Sequence, residues 1–160
     1  VTEMVGTDTW RAHHAAAIAE ENALDFTFFG YAEAWKLGTS MVAAATALSL
    51  PIAIAINFGQ QRVFHAALPG SSATNDDWLA RKFRVVAKHN CSSWALACLQ
   101  RAEGSDYFAE GGYDRRELAL AGGAVPLRVR GALIGAVGVS GLAETDDHRF
   151  VMDALKGLQM

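Results

Sequence analysis

Between Ile52 and Phe58 large and small side chains alternate with a period of two. Ile52, Ile54, Ile56 and Phe58 fall on one face, and Ala53, Ala55 and Asn57 on the other. This is the pattern of a strand whose successive positions point to opposite sides of a sheet. Gly59-Gln60 makes a turn, and Gln61–Ala67 returns as the hairpin partner. A second hairpin is predicted over Ala124–Ser140, with Arg130-Gly131 at its tip and mainly small apolar residues on its return arm. The β-branched and aromatic run Asp25–Phe29 predicts a further short strand. The clearest strands are apolar on both faces. A mainly antiparallel sheet covered by helices on both sides follows, in an α+β arrangement.

Helical periodicity fills most of the remaining chain. Trp10–Asn22 reads as a helix with Thr9 as N-cap, after residues 1–9 as a loose lead-in. Tyr31–Ser49 reads as a long helix, small in its middle at Ala43, Ala44, Ala45 and Ala47, and Pro51 ends it. Pro69-Gly70-Ser71-Ser72 is a loop, and Asn75–His89 beyond it is amphipathic. Ser92 or Ser93 caps another helix through Arg101, and Thr145 caps a last one ending at Leu158. Residues 104–115 are polar and glycine-containing, with no clear period. No linker, repeat or low-complexity tract interrupts the chain, so residues 1–160 read as one domain.

Composition removes several function classes. Hydrophobic residues make up 51% of the 160 and charged residues 19%, enough apolar surface for a packed core. A net charge of −3 with interspersed signs provides no basic field, so neither nucleic acid nor a membrane surface is an expected partner. No long uninterrupted apolar run and no basic-then-apolar start occurs, so neither a membrane span nor a signal peptide is expected. Cys91 and Cys98 form no CxxC and no metal knuckle. They read as buried, reduced thiols of a cytoplasmic protein.

Candidate chemistry gathers on two segments. On the helix from Asn75, Trp78, Leu79, Phe83 and Val86 share one side; Lys82 falls inside that apolar sector and His89 at its margin. Arg81 turns to the polar side, within reach of Asp77 at i,i+4. An ammonium on an apolar face must snorkel, lose its proton or find an anion. Lys82 therefore reads either as a salt-bridged core-edge residue or as part of a site for a carboxylate or other anionic ligand. On the second reading Lys82→Met abolishes binding and keeps the fold. Ser71 and Ser72, with Asn75 just beyond, could present hydroxyls and backbone N–H groups to the same anion, although turn formation alone explains the loop.

The second segment runs from Ser140-Gly141 to Asp147-His148. Aspartates in a first helical turn suit the helix dipole, and a neutral His148 would serve as a base or simply pack. An enzyme using Asp147 and His148 as an acid/base pair near Ser140 is one reading, with no division of labour between the two groups evident. His13 and His14 project about 100° apart on one helix and cannot chelate a single ion. His65 reads as a satisfied core or interface residue. No zinc constellation, nucleophile elbow or P-loop is present, and no metal site is expected.

Taken together these motifs resemble the GlcG/HbpS-like family, often labelled a haem-degrading domain and also found as the C-terminal part of PduO proteins. The resemblance rests on Glu33-Ala34-Trp35-Lys36-Leu37-Gly38, on Pro51 to Ile56, on Pro69 to Asn75 and on Trp78 with Arg81-Lys82. Ser92-Ser93, Gly122 to Pro126, Val139 to Leu142 and Asp146 to His148 continue it in the same order. It implies a profilin-like fold with a five-stranded antiparallel sheet between helices, and homodimers that stack into larger rings. It also implies haem or tetrapyrrole binding as a family property. Many members of the matching subgroup carry a histidine just before the double glycine; this chain has Ala121 there, so any role for that histidine does not transfer. Two functional readings follow: a small-molecule-binding domain, for haem or another anionic ligand, and a non-enzymatic oligomeric scaffold or adaptor.

Overall fold

The alternation over Ile52–Phe58 becomes part of a sheet with two unlike faces. In the computed structural model, which describes residues 2–159, four strands are formed: β1 (Ala53–Phe58), β2 (Gln61–Ala67), β3 (Ala124–Val129) and β4 (Ala132–Ser140). All three pairings are antiparallel, in the order β2-β1-β4-β3. The β3–β4 turn holds Arg130 at φ 51° and Gly131 at φ 80°, the pair of left-handed residues that matches the twist of a two-residue hairpin.

One face of the sheet is built from Ile52, Ile54, Ile56, Val125, Leu127, Val137 and Val139, all fully buried. It packs with α2 (Tyr31–Ala47) and α6 (Glu144–Gln159) into the main core. The opposite face is shaved down to Ala53, Ala55, Ala124, Ala136 and Gly138, and α3 (Ala73–His89) lies on it through Leu79, Phe83 and Val86. α1 (Thr2–Asn22) packs on α4 (Ser93–Glu103), and a short α5 (Tyr107–Gly111) follows.

Small residues on the second face set how closely α3 approaches. Gly138 sits opposite both Ala55 and Ala124. A Cβ there would meet Phe83 Cε1 at 2.5 Å, the Gly123 carbonyl at 3.0 Å and Leu79 Cδ2 at 3.1 Å. Two of these are core side chains and one is backbone, so little can give. Gly138→Ala is expected to destabilise the domain by about 2 kcal/mol through overpacking, read from the midpoint of urea unfolding; an unchanged midpoint would show that α3 has room to lift.

The structure departs from the sequence reading at four places. The Asp25–Phe29 strand is reduced to one parallel bridge, Phe26 to Val129, made by Phe26 N–H to the Arg128 carbonyl and Arg130 N–H to the Phe26 carbonyl. The sheet therefore has four strands, not five. The aromatic pattern that suggested pairing instead anchors a crossing: Phe29 is buried in the core while Phe28 is 70% exposed. Residues 2–9 are not a loose lead-in but the first turns of α1, so Thr9 lies within the helix and not at its N-cap. Once a helix has nucleated, each added residue gains a hydrogen bond, and no proline stops it. α6 starts at Glu144 rather than behind a Thr145 cap, with Asp146 and Asp147 N–H groups bonding to the Ala143 carbonyl. His65 is exposed, not a core residue, and pairs with Asp76 at 2.7 Å.

Candidate functional site

Lys82 reaches under α3 toward the end of β4, where the sheet meets the start of α6. Its Nζ lies 3.2 Å from Asp147 Oδ2 and 3.4 Å from the Val139 carbonyl, and both side chains are almost fully buried. Asp147 Oδ1 accepts the Leu142 N–H at 3.0 Å, so both carboxylate oxygens are occupied. The double glycine makes room for this pair. Gly123, at φ +136°, has Lys82 Nζ 2.7 Å and Asp147 Cβ 3.1 Å from where a Cβ would stand. Burial pushes Lys82 down and Asp147 up, each opposed by the charge of the other.

His148, the next residue, turns away from Asp147 because neighbours on a helix diverge by about 100°. It is 3% exposed and stacks obliquely on Trp94 at 6.2 Å, with Nδ1 bonded to nothing. Burial, reinforced by Arg149, pulls it down to about 4, so it is a neutral imidazole at pH 7. Asp147 faces Lys82 and His148 faces Trp94, so the two do not converge on a common reacting atom. Ser140 is buried at the end of β4 opposite Ala53, and Gly141 at φ +148° has the Pro51 carbonyl where a Cβ would go.

The remaining sequence candidates stand apart. Ser72 and Asn75 form the capping box of α3: the Thr74 N–H donates to Ser72 Oγ at 3.3 Å and the Ser72 N–H to Asn75 Oδ1 at 2.9 Å. Ser71 Oγ donates to the Leu68 carbonyl at 2.6 Å. Asn75 lies seven residues before Lys82, about 10 Å along the helix axis. Arg81 stacks on Trp78 at 4.0 Å, pairs with Asp77 at 3.2 Å and donates to the Arg115 carbonyl. Lys82 and Asp147 are thus brought together beside Ser140-Gly141, His148 faces Trp94 instead, and Ser71, Ser72, Asn75 and Arg81 are committed to local structure.

An open concavity lies one helical turn further along α3. Because β1 and β4 present Asn57, Gly135 and Ala136 under the helix, a groove of about 530 Å³ remains between Phe83, Arg84 and Ala87 above and the β1–β2 turn below. It continues into an apolar recess of about 200 Å³ floored by Leu133 and Ala136. Two cations flank it. Arg62 lies over the Phe83 ring at 5.9 Å and donates through Nε to Asn57 at 2.8 Å. Arg84 donates to the Glu117 carbonyl at 3.2 Å and sits 3.5 Å from its carboxylate. Each guanidinium carries five N–H donors, so both keep capacity for a ligand. None of the groove residues is among the sequence candidates. The available signal was Asn57, the polar member of an otherwise alanine face, followed by a turn and Arg62.

Among the described residues no group of three or more His, Cys, Asp or Glu is placed to hold a metal ion. Cys91 and Cys98 are free and pushed up to about 11 by burial, which leaves both as unreactive thiols. Among the described residues no helix is long and apolar enough to cross a membrane.

Comparison with known proteins agrees with this architecture. A UPF0303 protein of Streptomyces avermitilis is 41% identical over 139 residues, 86% of this chain and 85% of its own length. One from Burkholderia cenocepacia is 42% identical over 146 residues, 90% of this chain and 88% of its own length. Among solved structures, the Ybr137w protein superposes with a TM-score of 0.83 at 24% identity, over 90% of this chain and 86% of that one. A PduOC:heme complex superposes at 0.69 with 17% identity, over 80% and 93%; both show a shared fold. Residues 29–156 match the family described as haem degrading protein HbpS-like, and the chain belongs to that family.

Proposed function

We propose that this chain is a small-molecule-binding domain whose ligand is a carboxylate with an apolar body, held in the groove between α3 and the sheet. The observation that carries this reading is the pairing of Arg62 and Arg84 with an apolar floor, in a cavity the fold does not need for its own packing. Pockets of this kind orient a ligand through few polar groups and bind it through apolar contact. Lys82, Asp147 and His148 then support the site rather than touch the ligand. Their ion pair sets the height of α3, and Phe83, next to Lys82, forms both the helix–sheet contact and the groove wall.

Haem has this chemistry in part. Arg62 and Arg84 suit two propionates, and Phe83, Leu133 and Ala136 suit a ring face. The iron is not suited, because no His, Cys, Met or Tyr lines the groove, and those side chains are the usual axial ligands. His148 is closed off behind Trp94. Ligand recognition through carboxylates and ring surface, without iron ligation by groove residues, is the expected mode.

Titration of the protein with haemin, metal-free protoporphyrin IX and decanoate, followed by tryptophan quenching and calorimetry, tests this. Haemin and protoporphyrin IX should bind with similar affinity, and Arg62→Ala/Arg84→Ala should weaken both at least about ten-fold. Absence of saturable binding by all three compounds, or affinity unchanged in the double variant, would sink the reading. A low-spin, six-coordinate haemin spectrum would show that iron ligation dominates instead.

A further inference from the structure

The outer face of α3 carries a line of charge. Asp77, Arg81, Arg84 and Lys88 fall at i, i+4, i+7 and i+11, which places them on one stripe of the helix. Beside the stripe lies the turn over residues 113–117, which adds Arg115 and Arg116, both exposed. Five cations thus share one surface with three carboxylates, Asp77, Asp114 and Glu117. The chain as a whole has a net charge of −3, so this surface has the opposite sign to the molecule that carries it.

The cations are held in place by the fold itself. Arg81 donates to the Arg115 carbonyl at 3.1 Å and Arg84 to the Glu117 carbonyl at 3.2 Å, which ties the turn to the helix. The turn is closed by the Arg116 N–H donating to Asp114 Oδ1 at 2.8 Å. Three of the cations also lie on aromatic rings: Arg81 on Trp78 at 4.0 Å, Arg115 on Phe108 at 4.3 Å and Lys88 on Tyr113 at 5.0 Å. A guanidinium stacked by its face still presents its N–H edge to a carboxylate. The local acids leave that capacity largely unused. Their pairs run from 3.2 to 3.6 Å with carboxylates more than half exposed, and such pairs contribute little and exchange readily. Lys88 and Arg115 have no ion pair among the described residues.

We infer that this face docks an acidic segment, rich in Asp and Glu, of a different protein. The argument is charge complementarity on a preset surface. The stripe from Arg81 to Lys88 is about 10 Å long, and carboxylates on alternate residues of an extended segment stand about 7 Å apart, so two of them span it. Arg115 and Arg116 meet further carboxylates alongside. Nucleic acid suits the face less well. Ring surface of Trp78, Tyr113 and Phe108 is covered by cations rather than open to stacked bases, and the net negative charge of the chain repels a long polyanion. A second copy of this face suits it least, because a two-fold axis would set the five cations against one another.

Fluorescence anisotropy of fluorescein-labelled octaglutamate titrated with the full chain tests this. Binding should be saturable at about 50 mM salt and at least about ten-fold weaker at about 300 mM. Lys88→Glu/Arg115→Glu should weaken it at least about ten-fold, and the milder Lys88→Gln/Arg115→Gln at least about three-fold. Arg11→Glu/Lys36→Glu makes the same change in net charge at exposed positions of α1 and α2 and should leave binding unchanged. Labelled oligouridylate should bind more weakly than octaglutamate. Circular dichroism checks that the variants fold. Absence of saturable binding to octaglutamate overturns the inference, as does an equal loss in the two charge-reversed proteins. Tighter binding of oligouridylate overturns it too, and assigns the face to nucleic acid. Arg84 also borders the groove, whereas Lys88 and Arg115 do not line it, so the outcome is independent of ligand binding there.

Discussion

Replacing Lys82 with methionine lowers the stability of the domain by about 3–5 kcal/mol, the range for stripping one partner from a buried ion pair. Methionine matches the lysine stem in volume, so the loss comes from the Asp147 carboxylate, left 1% exposed with backbone N–H groups of Gly141 and Leu142 but no cation beside it. Asp147→Leu should cost a similar amount by leaving an ammonium in the same place. The double variant Lys82→Met/Asp147→Leu should recover most of the loss, since replacing both ends of a buried pair by apolar groups is often neutral. Urea unfolding of the four proteins at pH 7 gives the coupling directly. Single variants within about 1 kcal/mol of the wild type would show that the pair is open to water. Of the two readings the sequence leaves open for Lys82, a salt-bridged residue or part of an anionic-ligand site, the contact with Asp147 favours the first and revises the second.

That revision shows what the sequence exposes and what it hides. Helical spacing placed Lys82 on the apolar side of α3, and its burial follows from that position alone. The partner is 65 residues away, brought in by the approach of α6 to the end of β4, and no local pattern encodes such a distance. The two faces of the sheet were legible because large and small residues alternate with the strand period. Asp25–Phe29 misled because β-branched and aromatic composition reports fit to an apolar surface rather than pairing itself. Phe26 and Phe29 do pack on the core, and only one residue pairs. The groove was the least legible feature. It is a space left where alanines replace larger residues, and its cations come from β2 and α3, 22 residues apart at Arg62 and Arg84.

Acidification separates His148 from everything around it. Its folded pKa is about 4 against 6.5 for the free side chain. Between those values the unfolded chain takes up a proton that the folded chain does not. Stability therefore falls as pH drops through that window, and the full contribution is present above pH 6.5. Integrated from pH 7 to pH 4, one histidine held neutral by burial costs about 3 kcal/mol. Glu21 and Asp147 act in the other direction, because burial raises both carboxyls and folding then favours their protonated forms. The total slope is a sum of opposing groups, so the clean quantity is a difference between proteins. His148→Phe keeps a ring against Trp94 and removes the unbonded Nδ1, which should make it no less stable than the wild type at pH 7. From pH 7 to pH 4 the wild type should lose about 3 kcal/mol relative to that variant in urea midpoints converted to free energy. Parallel pH profiles for the two proteins would mean that His148 is protonated in the folded state, with an anion or water at Nδ1.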